Sequence, residues 1–116
     1  MTSNDGSNVN HGYIRTRSGT ITTYDVTGAG KGAGQGTLGG SINQPGTVTS
    51  NYTDSSNVNH GYVRAPRGDI TTFDVTGAGT GAGQGTFPFT PNPTGAITGY
   101  YFDASNVFHG FLLGGE

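Results

Sequence analysis

Three histidines are spaced evenly along the chain, and theirs are the side chains whose charge changes most readily near neutral pH. His11 and His60 stand in Asn-His-Gly-Tyr, and His109 stands in Phe-His-Gly-Phe, each 49 residues from the next. An imidazole can act as an acid-base group, a metal ligand or a hydrogen-bonding tie. One per unit, at equivalent places of different units, keeps the three apart and argues against a shared metal centre. The expected role is structural, with His11 tied to Asp25, His60 to Asp74, and His109 in the equivalent place. Asp5, Asp54 and Asp103 open loops of the form Asp-x-Ser-Asn-Val, with one carboxylate each. A calcium loop needs several acidic positions and a closing Glu, so these are expected to be Asx turns.

Gly28-Ala29-Gly30-Lys31-Gly32-Ala33-Gly34 superficially suggests a phosphate loop. That chemistry needs Gly-Lys followed by Ser or Thr and then a helix N-terminus. Here Gly32 follows Lys31, and Thr80 replaces the lysine in the second copy, so the tract is expected to be a loop. No carboxylate pair, Ser/His/Asp set or cysteine nucleophile stands out from the pattern. The expectation is a chain that is not an enzyme, with no cofactor and no metal. A binding alternative uses Tyr52 and Tyr101 as stacking surfaces for a sugar, with Asn51 and His60 as hydrogen-bonding groups and Tyr100 and Phe102 on the opposite face. Asn51-Tyr52-Thr53 is also a glycosylation sequon in a secretory route, whereas Pro93 voids the one at Asn92.

The elements that must position these groups follow from a repeat. Ser7-Asn8-Val9-Asn10-His11-Gly12-Tyr13 recurs at Ser56 to Tyr62 and, altered, at Ser105 to Phe111. Units 7–55 and 56–104 are complete, and a partial third runs over 105–116, all within one domain, 1–116. Each unit reads as four short strands. The first is His60 to Arg64, closed by Ala65-Pro66-Arg67-Gly68, and the second is Ile70 to Val75. The third is Gly36 to Asn43, and the fourth is Thr47 to Tyr52. That makes nine strands in the chain. No window repeats apolar residues at helical spacing, so no helix is expected.

Four antiparallel strands in a unit of this length match a β-propeller blade, giving about two blades per chain. Composition agrees with thin pleated structure. Apolar residues are 30% of 116, charged residues 10%, and there are 23 Gly and no Cys. Such a chain cannot build a thick helical core, and disulfide staples are absent. A net charge of −2 with scattered Arg provides no basic stripe, so no nucleic-acid partner is expected. No apolar run is long enough to insert in a membrane, and residues 1–5 have no signal-peptide character.

Gly36-Thr37-Leu38-Gly39-Gly40-Ser41-Ile42-Asn43, Gly46-Thr47-Val48-Thr49 and His60-Gly61-Tyr62-Val63-Arg64 resemble the bacterial extracellular HAF-type repeats. Those carry Gly-Thr-Leu-Gly-Gly, an Ile-Asn turn and a His-Ala-Phe strand. The chain departs from them at Gly12, Gly61 and Gly110, where the family has alanine, and at Thr90-Pro91-Asn92. The resemblance implies propeller-like repeats that are secreted or at the cell surface, with no catalytic residues to carry over. Two units cannot close a ring alone, so the expected partner is the chain itself. The expected product is a cyclic homo-oligomer acting as a self-assembling structural module. The alternatives are a lectin-like propeller with glycan partners, or a head-to-tail filament joined by exchange of the His109 to Leu113 strand.

Overall fold

The computed structural model describes residues 1–40, 42–89 and 91–114. Its regular elements are all strands, namely β1 (Thr2–Asn4), β2 (Asn10–Arg15), β3 (Ile21–Tyr24), β4 (Gly36–Thr37) and β5 (Val48–Thr53), followed by β6 (Asn59–Arg64), β7 (Ile70–Phe73), β8 (Gly85–Pro88), β9 (Ile97–Phe102) and β10 (Phe108–Leu113). The protein is therefore all-β, and it measures 45 × 40 × 17 Å.

Turn chemistry explains the hairpins. Asp5, Asp54 and Asp103 each accept backbone N–H bonds from the residues two and four further on, and Asn8, Asn57 and Asn106 follow with φ of 62°, 64° and 63°. Asn tolerates this left-handed region better than other non-glycine residues, which accounts for Asp-x-Ser-Asn. The strands β4, β5, β6 and β7 form one antiparallel meander, with Tyr52 opposite His60 and Gly61 opposite Phe73. A second meander, β1-β2-β3, precedes it and a third, β8-β9-β10, follows it. We call these the first (β1–β3), middle (β4–β7) and third (β8–β10) meanders.

The antiparallel expectation is corrected in part. Single parallel bridges, Asn10 to Gly36 and Asn59 to Gly85, join the meanders into one open mixed sheet of ten strands. Gly36 and Gly85 have φ of 111° and 120°, and their backbones lie against Asn10 and Asn59 so closely that no Cβ would fit. There are ten described strands rather than nine, because β1 was not foreseen. The expected third strand is only two residues long in the first copy, with an isolated bridge from Ile42 to Val48, and Ser41 and Thr90 lie outside the described residues. The second strand ends at Phe73 rather than Val75. Of the partial third unit, Gly115 and Glu116 also lie outside the described residues.

Alternation along the strands gives each meander two faces. Val48, Ser50, Tyr52, His60, Tyr62, Arg64 and Ile70 share one face of the middle meander. Against it lie Ile14, Tyr24, Val26 and Ala29, which form the core with Val48, Tyr52, Tyr62 and Ile70. Tyr62 is fully buried there. Its hydroxyl donates to the Leu38 carbonyl at 2.7 Å, so the Tyr24 hydroxyl, 2.8 Å away, donates to it. Arg64 lies over the Tyr24 ring at 5.1 Å. On the opposite face Phe73 meets Phe111 of the third meander edge to face, with ring centres 6.4 Å apart.

Candidate functional site

The expected His–Asp contacts are present. His11 Nδ1 is 2.7 Å from Asp25 and His60 Nδ1 is 2.7 Å from Asp74, each pair bridging a hairpin. An aspartate that the sequence assigns only to a turn also reaches each ring, as a second partner for His11 and His60 and as the one described hydrogen-bond partner of His109. Nε2 meets Asp5, Asp54 and Asp103 at 2.9, 2.8 and 2.8 Å for His11, His60 and His109 respectively. The outer carboxylates thus cap the turn with one oxygen and hold the imidazole with the other.

A ring held by carboxylates at both nitrogens must donate twice, which is the imidazolium state. The hydrogen bonds to Asp5 and then Asp25 raise the His11 pKa above its ordinary value. At His60 burial pulls the pKa down, but the bonds to Asp54 and Asp74 outweigh it and leave it raised. Asp54 moves oppositely, since the His60 bond and the turn N–H groups overcome the upward push of burial. Asp5 and Asp103 are lowered chiefly by their histidines. Among the described residues no cluster of His, Asp and Glu could hold a metal ion.

The residues proposed for stacking a sugar are engaged inside the protein. Tyr52 is buried and stacks on His60 with ring centres 5.0 Å apart, and Tyr101 stacks likewise on His109 at 4.9 Å. Asn51 is buried and its amide donates to Asn59, so the sequon asparagine is enclosed in the folded chain. In the first meander Ser3 occupies the corresponding place opposite His11, leaving that imidazole without an aromatic cover. A cleft of about 600 Å³ opens there, lined by Asp5, Asn10, His11, Asp25 and Lys31.

The glycine tracts serve the joints between meanders. Gln35 accepts the Gly32 N–H and donates to the Ser55 carbonyl and to Asn57, and Gln84 makes the same set with Gly81, Ala104 and Asn106. The tract expected as a plain loop is therefore fastened to the turn of the next meander. The Gln-Gly pair in both copies was the available signal. Asn10 and Asn59 complete the grip by donating to the Gln35 and Gln84 carbonyls.

At the positions matching Asn51, Thr53 and Asn59 the third meander has Tyr100, Phe102 and Phe108. These pack with Phe87, whose ring stacks on Tyr100 at 5.1 Å, while Phe102 and Phe108 lie 4.3 Å apart. Phe108 is 65% exposed and Leu112 on the same face is 70% exposed. Sequence reading placed Tyr100 and Phe102 correctly on the face opposite Tyr101, but it did not anticipate this aromatic cluster. No protein-family model, no curated protein and no solved structure matches the chain.

Proposed function

We propose that the chain is a non-enzymatic, self-assembling β-repeat module of a secreted or cell-surface protein, akin to the HAF-type repeats. In this reading the meanders are blades of a β-propeller that further copies complete into a ring. The observation that carries it is the packing of one meander on the next through Tyr24 on Tyr62 and Phe73 on Phe111, with the outer face of the third meander left uncovered. A layer that buries its faces only against neighbours is stable only within a longer stack. Each internal junction follows the same plan, so a further meander from another copy extends it. The test is native mass by sedimentation or light scattering at micromolar concentration. A discrete multiple of 11.8 kDa is expected. A folded, monodisperse monomer would end the reading.

A second reading, glycan binding, is favoured by the cleft at His11 and not by Tyr52 or Tyr101. The bare imidazole face with Asp5, Asp25 and Asn10 around it matches the stacking and hydrogen-bonding needs of a sugar ring. Glycan-array binding that His11→Ala removes would support it. A well-folded sample that binds nothing would refute it.

A further inference from the structure

Among the described residues the third meander has no counterpart of β3 or β7, the strands that bring Tyr24 and Phe73 to the internal junctions, and its outward face differs from those junctions in a further respect. At the internal junctions the inner strands present a hydrogen-bonded polar ladder. Asn4 donates to Asn10 at 2.7 Å, and Asn51 and Thr53 donate to Asn59 at 3.2 and 2.8 Å. That ladder grips the loop leading covalently to the next meander. Phe108 cannot donate to such a loop, and Tyr100, Phe102 and Phe87 surround it with apolar surface.

We infer that this face, centred on Tyr100, Phe102, Phe108 and Leu112, docks onto the outward face of the first meander of a second copy, without strand exchange. The inference rests on the self-assembly reading and specifies its joint. A face without a loop grip suits a neighbour that arrives as a separate chain. Leu112 stands where Ile14 stands in the first meander, and Ile14 packs into the internal junction core.

The receiving face keeps the residues that an internal junction uses. Tyr13 and Arg15 match Tyr62 and Arg64, which accept and cover the Tyr24 ring of the preceding meander. Tyr13 is only half-buried, Arg15 and Ile21 are exposed, and a cleft of about 480 Å³ opens beside Met1, Tyr13 and Arg15. The donor face is thus aromatic, and the receiving face offers a guanidinium and a phenol to meet it. Strand exchange is not needed, because β10 is already laddered to β9 over six residues.

The experiment measures the native mass of the full chain and two variants, with circular dichroism as a check on folding. The variant Tyr100→Asn/Phe102→Thr/Phe108→Asn restores the polar pattern of the middle meander. It should weaken association about 100-fold, as loss of central interface aromatics does. Tyr13→Asp should do the same from the other side. Mixing the two variants should restore a dimer and nothing larger, since each retains one competent face. If the triple variant does not fold, Leu112→Asp on an exposed position takes its place.

If Tyr13→Asp assembles normally while the aromatic variant does not, the aromatic face pairs with itself and the head-to-tail joint is wrong. If both variants assemble like the unmodified chain, the joint lies elsewhere and self-assembly stands without it. If the unmodified chain is a folded monomer, the self-assembly reading fails and takes the joint with it.

Discussion

Adding one methyl group at equivalent positions of the three units should have three different outcomes. At Gly12 a Cβ would lie 2.6 Å from Tyr24 Cζ, and at Gly61 it would lie 2.6 Å from Phe73 Cζ. At Gly110 the nearest atom is the Gly99 carbonyl oxygen at 3.9 Å. Replacing a strand glycine with alanine gains about 0.5–1 kcal/mol from the unfolded chain. Gly110→Ala should therefore stabilise by roughly that amount. At Gly61 the Phe73 ring must move off the backbone, an overpacking cost of about 1–3 kcal/mol, for a net loss of roughly 1–2 kcal/mol. At Gly12 the Tyr24 ring is also fixed by its hydroxyl bond to Tyr62. Disturbing that bond adds about 1 kcal/mol, so Gly12→Ala should lose roughly 2–3 kcal/mol. Thermal melts at one fixed concentration should show a rise of a few degrees for Gly110→Ala and falls of roughly 4 °C per kcal/mol for the others. Equal effects at Gly12 and Gly110 would refute the packing of the hairpin aromatics over these glycines.

His60 has a raised folded pKa, so its contribution to stability is complete below about pH 6.5 and is lost as pH rises through the folded value, whereas that of Asp54, lowered from 3.8, is lost as pH falls through its own folded value. The melting temperature should therefore be highest between these limits and fall as pH rises through the folded His60 value, and His60→Gln should flatten the alkaline decline; an unchanged slope would count against the double carboxylate clamp. Thr37 is fully buried and its hydroxyl accepts the Val26 N–H at 2.9 Å, so Thr37→Val should cost about 1–3 kcal/mol in urea denaturation, and a neutral result would mean the N–H finds another partner. Asn57→Ala should cost about 1–2 kcal/mol because φ is 64° and the Gln35 bond is lost, with Asn57→Gly recovering part of it.

The strands with strict alternation between turn signals were legible from sequence. The structure places β6 at Asn59–Arg64 and β5 at Val48–Thr53, each within a residue of the expected span. The His11–Asp25 and His60–Asp74 contacts were legible too, since a fourteen-residue spacing across one hairpin brings a strand start beside the residue after the next strand. The third strand was not. Gly39 and Gly40 have no side chains to show a period, and only Gly36 and Thr37 form the ladder. β1 is polar and short, and its signal was the match of Asp5 to Asp54, which places Thr2–Asn4 over the end of β5. The burial of Tyr52 and Asn51 escaped because alternation assigns residues to faces but does not say which face a neighbour will cover.

The folded layer and the repeated text are out of step. The middle meander takes β4 and β5 from residues 7–55 and β6 and β7 from residues 56–104, so every boundary between sequence units falls inside a sheet. Duplicating one 49-residue unit would therefore insert a whole layer while leaving the incomplete layers at the two extremities as they are. Chains of different lengths would inherit the same pair of terminal surfaces. Growth by internal duplication then adds meanders to the chain without rewriting either terminal surface.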